Sequence, residues 1–312
     1  MSMAGVLALA LGPAACSGDG GPPSTPPSTT SGTVAGTEVV AEDLEVPWDL
    51  AFLPDGSALV TLRDSGDIVQ VTNGGTRPVG TVPGVDADGE GGLLGVAVSP
   101  DVEEDDTIFV YATTEKDNRV LRMTLGSSGI GDVRPVLTGI PKAENHNGGR
   151  LDFGPDGLLY VATGDAGDGA SAQDEDSLAG KILGITPDGD PAPGNPDPDS
   201  PVWTSGHRNV QGLAWSEDGT MWASELGQSR WDELNRITEG SSYGWPDVEG
   251  EGGGDEFVDP VATWATADAS PSGITVDADG DVVMATLVGE SLWRIPITDA
   301  GSAGTPERLL EG

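Results

Sequence analysis

Apolar residues in this chain come in short runs closed by turns, and no window sustains a helical period with caps. Residues 158–162 (Leu-Leu-Tyr-Val-Ala) and 108–112 (Ile-Phe-Val-Tyr-Ala) are typical: β-branched or aromatic, brief, and bounded by turn formers. The pattern predicts an all-β protein.

The runs repeat. An apolar stretch, an Asp-Gly or Pro-Asp turn, a second apolar stretch and a third strand ending in a basic or polar residue recur over residues 48–71, 92–123, 148–186, 209–237 and 271–295. Pro presets φ, Asp bonds its own backbone and Gly accepts positive φ, so each turn reverses the chain between two strands. The turn aspartates fall at 55, 101, 156, 218 and 279, spacings that suit blades of four short strands with loops inserted. A sandwich of unequal strands is the competing fold, but it does not predict so regular an order of turns and strands.

Composition narrows the partners. With 48 Gly and 24 Pro, the stretch after residue 36 suits one loop-rich domain, 37–312. A net charge of −38, from 52 acidic and 14 basic residues, argues against nucleic acid and anionic membrane surfaces, which such a field repels. Lysines occur only at 116, 142 and 181. That surface suits life in high salt, and a bias of genomic composition explains it equally well.

The single cysteine, Cys16, follows a short apolar run at residues 4–11 and the small residues Gly12-Pro-Ala-Ala. Segment 1–16 resembles a bacterial lipoprotein signal, and the Pro/Ser/Thr/Gly-rich 17–36 a flexible tether. The expectation is an exported, cell-envelope protein that meets the membrane only through a lipid anchor at Cys16. The apolar run is too short to span a bilayer, the first residues carry no Lys or Arg, and disulfides cannot hold a domain with one cysteine.

Candidate chemistry centres on the two histidines, His146 in Glu144-Asn-His-Asn-Gly-Gly-Arg150 and His207 in Gly206-His-Arg-Asn209. A neutral imidazole takes a proton from a hydroxyl near pH 7, which few other side chains do unaided. The bland reading, in which each ring only bonds loop backbone, stays open on residue type alone.

Eight motifs in order carry a resemblance. They are Pro47-Trp-Asp-Leu-Ala-Phe-Leu-Pro-Asp-Gly56, Asp86-Ala-Asp-Gly-Glu-Gly-Gly-Leu-Leu-Gly95, His146-Asn-Gly-Gly-Arg-Leu151, Thr163-Gly-Asp165, Gly180-Lys-Ile-Leu183, Gly206-His-Arg-Asn-Val-Gln-Gly-Leu213, Asp232-Glu-Leu-Asn235 and Tyr243-Gly-Trp-Pro246. Together they resemble the soluble glucose/sorbosone dehydrogenase family, six-bladed β-propellers that use pyrroloquinoline quinone and calcium. The resemblance implies a six-bladed type with about five blades present. It also implies that the chain stops before a last blade and before an Arg-x-Arg motif. It further implies a small sugar substrate and hydride transfer to the quinone, since no side chain accepts a hydride.

By this resemblance His146 is the base, Asp165 orients it, and Arg208 and Asn209 lie over the quinone carbonyls. Glu90 and Gln211 belong to the cofactor site. Gly227 and Gln228 offer carbonyls to the cofactor's calcium, and Glu233 and Tyr243 match a second calcium position. His207 packs within its loop. Glu90 stands where relatives carry Gln, Leu226 where they carry Gln or His, Gln228 where they carry Pro, and Val288 where they carry a basic residue. Each change removes a contact to an anionic ligand. Two other functions therefore stay open: a non-catalytic propeller that binds carbohydrate or protein, and a calcium-dependent lactone hydrolase.

Overall fold

A computed structural model describes residues 38–310. The leader, the tether and Cys16 lie outside the described residues. Five antiparallel four-stranded sheets follow one another along the chain, each a meander in sequence order. Blade one comprises Pro47–Phe52, Ala58–Leu62, Asp67–Thr72 and Gly75–Thr81, and blade two Leu93–Val98, Thr107–Thr113, Asn118–Gly126 and Gly129–Ile140. Blade three comprises Leu151–Phe153, Leu159–Ala162, Ile182–Ile185 and Val202–Thr204, and blade four Val210–Trp215, Met221–Glu225, Trp231–Ile237 and Ala262–Ala265. Blade five comprises Pro271–Val276, Val282–Thr286, Ser291–Ile295 and Glu307–Leu310. First strands of successive blades pack on one another, so they line the centre of the arc. No helix of the described residues is long and apolar enough to cross a membrane.

The turn chemistry explains where each blade's first strand reverses into its second. Asp55 Oδ1 accepts the Ser57 amide at 2.9 Å, Asp156 Oδ1 the Leu158 amide at 3.1 Å, and Asp218 Oδ1 the Thr220 amide at 2.9 Å. The intervening Gly56, Gly157 and Gly219 take φ of 82°, 78° and 87°, which a Cβ would disfavour. Blade five shifts this device by two residues: Asp277, not Asp279, accepts the amides of Asp279 and Asp281. In blade two, Asp101 instead opens a one-turn helix, Val102–Asp105.

The six-bladed expectation is corrected: the described residues form five blades. Glu307–Leu310 pairs with Ser291–Ile295 as the outer strand of blade five, so this stretch completes the fifth repeat. Residues 38–44 form no strand and complete no blade. Four apolar clusters join blades one to two, two to three, three to four and four to five. Among the described residues no such cluster joins five to one. Leu50 and Phe52 in the first strand of blade one accordingly remain 54% and 68% exposed.

A buried ion pair ties the centre. Arg150 NH1 pairs with Asp49 Oδ1, and its Nε donates to the Gln211 carbonyl at 2.8 Å. Asp49 Oδ2 accepts the Val96 amide at 3.0 Å. The guanidinium also lies 4.7 Å over the Trp48 ring. The Arg150–Asp49 pair thus links blades one, two and four to the strand that Arg150 precedes in blade three.

Candidate functional site

Each blade's first strand begins, and its second strand ends, at the rim opposite the Asp-Gly turns. Loops at that rim bring His146, Asp165, Arg208 and Asn209 together from blades three and four. The approach is close because Gly148 and Gly164 have no side chains. A Cβ on Gly164 would lie 1.9 Å from the His146 carbonyl oxygen, and one on Gly148 2.5 Å from Thr163 backbone. His146 itself has φ of 56°, and its amide donates to Glu90 Oε2 at 2.7 Å.

His146 Nδ1 lies 2.7 Å from Asp165 Oδ1, and its Nε2 lies 2.8 Å from an Arg208 NH2 donor. A guanidinium only donates, so Nε2 accepts and the proton sits on Nδ1, where the Asp165 carboxylate receives it. Asp165 is 2% exposed. Its Oδ1 also accepts the Gly167 amide at 2.8 Å, and its Oδ2 accepts the Trp245 indole N–H at 2.8 Å. Burial pushes this carboxyl up, but the His146, Gly167 and Trp245 bonds outweigh that and hold it below the ordinary carboxylate value.

Arg208 is fixed from several sides. Its NH1 donates to the Leu226 carbonyl at 3.0 Å, its amide donates to Glu225 Oε1, and its guanidinium lies 5.6 Å over the Trp245 ring. Its buried Nε has no partner among the described residues. Burial lowers its proton affinity, which Asp165, Glu225, Glu249 and Glu90 oppose. Asn209 Oδ1 accepts the Gly148 amide at 3.0 Å, which turns its amide nitrogen away from that loop.

Other sequence candidates fall elsewhere or act differently. Glu90 Oε2 accepts the His146 backbone amide, which holds the carboxylate against that loop. Gln211 contributes its carbonyl to Arg150. His207 is fully buried between Thr204 Oγ1 and Glu225 Oε2, both at 2.9 Å, and stacks on Tyr243 at 4.7 Å. Val288 sits in a short 3-10 turn on blade five, 36% exposed.

Gly227, Glu233 and Tyr243 line one small cavity of about 10 Å³, shared with Arg208, Glu225 and Glu249; Gln228 does not line it. That volume is the scale of a single water. The Tyr243 hydroxyl is spent on the Arg236 carbonyl and Thr238 amide. Burial, with Glu225 nearby, pushes the Glu233 carboxyl up to about 7. Glu249 Oε1 accepts the amides of Gln228, Ser229, Arg230 and Trp231. Among the described residues, no group of three or more acidic, His or Cys side chains is arranged to hold a metal by itself.

Sequence reasoning assigned no role to Trp245, Glu225 or Glu249. Trp245 stood inside the quoted Tyr-Gly-Trp-Pro motif, the one available signal. The two glutamates were hidden by the abundance of acids.

Comparison with known proteins bears on this arrangement. The family model described as glucose/sorbosone dehydrogenase matches residues 44–312. Aldose sugar dehydrogenase YliI of Escherichia coli is 34% identical over 278 residues, covering 82% of this chain and 70% of that protein. Quinoprotein glucose dehydrogenase B of Acinetobacter calcoaceticus is 34% identical over 251 residues, covering 68% of this chain and 52% of that protein. The chain therefore spans between about half and seven tenths of these two relatives. The PQQ-bound aldose sugar dehydrogenase structure from Streptomyces coelicolor superposes with a TM-score of 0.86 at 51% identity, covering 88% of this chain and 84% of that one.

Proposed function

This chain belongs to the glucose/sorbosone dehydrogenase family, and from that premise we propose that it is a quinoprotein that oxidises an aldose sugar at its anomeric carbon. The observation that carries the reading is the His146 ring, held through Nδ1 by Asp165 while Nε2, left without a proton, meets the Arg208 guanidinium. That is the arrangement of a base with an orienting carboxylate and a cation beside it.

The residues fit an anionic quinone. The Arg208 guanidinium keeps an unpartnered donor, and Glu90, the one carboxylate whose position threatened repulsion, is held against the neighbouring loop by the His146 amide. Arg208 and Asn209 would hold the cofactor, and the Gly227 and Gln228 carbonyls would meet it through calcium. When bound, pyrroloquinoline quinone supplies the electrophilic carbonyl that accepts a hydride.

The chain's own residues do the rest. His146 Nε2 takes the proton of the anomeric hydroxyl as C–H cleavage begins. Asp165 stabilises the imidazolium and keeps the ring from turning. Arg208 and Asn209 donate toward oxygen atoms on which negative charge grows. Glu233 is the carboxylate that would serve the second calcium, and Tyr243 would not offer its hydroxyl, which is engaged by the Arg236 carbonyl and the Thr238 amide. The envelope location rests on the 1–16 segment and Cys16.

The test is reconstitution of the full chain with quinone and calcium, followed by dye reduction with aldoses. Quinone-dependent reduction is the expected outcome. Sugar oxidation without quinone, or none at saturating quinone, overturns the reading.

A further inference from the structure

We propose that Trp245 is a positioning residue that pins the base-orienting carboxylate through its N–H and seats the Arg208 guanidinium on its ring face. Its indole N–H donates to Asp165 Oδ2 at 2.8 Å, while the face of the same ring underlies Arg208 at 5.6 Å. One rigid side chain therefore touches both groups that hold His146, since Asp165 meets Nδ1 and Arg208 meets Nε2.

The ring is anchored for this task. The Trp245 amide donates to the Gly206 carbonyl at 2.9 Å, and its own carbonyl accepts from Gln173 Nε2 at 2.7 Å. Gly169 passes beside the indole nitrogen, where a Cβ would come within 3.2 Å, so the neighbouring loop leaves room for the ring in this pose. The indole leaves Asp165 no free oxygen: Oδ1 serves His146 and Gly167, and Oδ2 serves Trp245. A carboxylate bound on both oxygens cannot rotate and take the imidazole with it. The cation-on-ring contact seats the guanidinium on the indole face without fixing which partner it donates to.

The inference rests on the quinoprotein reading for its kinetic part and on the cofactor-free protein for its spectroscopic part. Trp245→Phe removes the N–H and keeps the ring face, whereas Trp245→Leu removes both. With quinone, Trp245→Phe is expected to lower kcat about tenfold to a hundredfold, the range of a lost charge-assisted hydrogen bond. KM for the sugar should stay within about twofold, because no sugar contact is invoked. Trp245→Leu should in addition weaken quinone retention, which Trp245→Phe should not.

In the cofactor-free protein, 15N spectra of the two histidines should show His146 as the Nδ1–H form in wild type and as a tautomer mixture in Trp245→Phe. The Trp245 indole resonance of wild type should titrate together with the Asp165 carboxyl carbon, which tests the contact even if no variant folds. Wild-type turnover in Trp245→Phe, or lost turnover with an unchanged histidine spectrum, overturns the proposal, as does an indole signal that ignores Asp165. If wild type oxidises no sugar, the quinoprotein reading falls alone, because the spectra still decide the role of Trp245.

Discussion

His146 Nδ1 and Asp165 Oδ1 stand 2.7 Å apart across a backbone crossing that only glycines permit. The bond sets the tautomer, and the tautomer decides which nitrogen faces the mouth. Asp165→Asn should therefore lower kcat by about a hundredfold to ten-thousandfold, because an amide can present its N–H and leave Nδ1 as the acceptor. Steady-state kinetics of the reconstituted enzyme measure this. A loss under about fivefold would separate the pair from catalysis.

Arg150 and Asp49 form the central staple, with side chains 10% and 8% exposed. Arg150→Ala leaves a buried carboxylate without its cation, a change that costs about 3–5 kcal/mol. Replacing both partners by apolar residues of similar volume should recover much of that loss. Urea unfolding of the single and double variants provides the comparison, and a single-variant loss below about 1 kcal/mol would refute the staple.

The five repeats were legible in the sequence because their cause is local: an aspartate bonding an amide two residues on, followed by a glycine at positive φ. The pattern misled in two blades: the cap moved to Asp277, one aspartate earlier in an Asp-Ala-Asp-Gly-Asp run, and Asp101 opened a one-turn helix instead. The six-bladed expectation came from the resemblance and not from the repeats, which number five, as do the blades. Nothing in the spacing of His146 and Asp165 announces a contact; the resemblance paired them. Trp245 was illegible because its partner lies 80 residues earlier. Glu225 and Glu249 were illegible because, among 52 acidic residues, one carboxylate says little until its neighbours are known.

Glu233 gives a pH signature. Burial first, then Glu225, raises its folded carboxyl to about 7 from an ordinary 4.5, so the folded state binds the proton more tightly than the unfolded chain. Stability from this group is complete below about pH 4.5 and is lost as pH rises through about 7, with an upper limit of about 3 kcal/mol. Thermal melts in chelator should show the decline, and Glu233→Gln should flatten it. Millimolar calcium should reverse the decline if the proposed second calcium binds the charged carboxylate, and melts indifferent to calcium at pH 8 would remove that site.

Arg208 covers the base in the cofactor-free protein. Its NH2 donor sits 2.8 Å from His146 Nε2, the nitrogen that must be open to take a proton, while NH1 is tied to the Leu226 carbonyl. A guanidinium and a substrate hydroxyl cannot both occupy that lone pair, so turnover requires Arg208 to turn toward an anionic partner. Arg208→Ala should then show two opposite effects. Dye reduction should fall by about a hundredfold or more, because the cation that meets developing charge is gone. Acylation of His146 by diethylpyrocarbonate in the cofactor-free protein should accelerate, because Nε2 is uncovered. The fully buried His207 provides the internal control, since its two nitrogens are held by Thr204 and Glu225 and should stay unreactive in both proteins. Quinone binding to wild type should likewise change His146 reactivity and leave that of His207 unaltered. Equal acylation rates in wild type and Arg208→Ala would mean that the guanidinium does not guard the base, and its role would reduce to the cofactor contact alone.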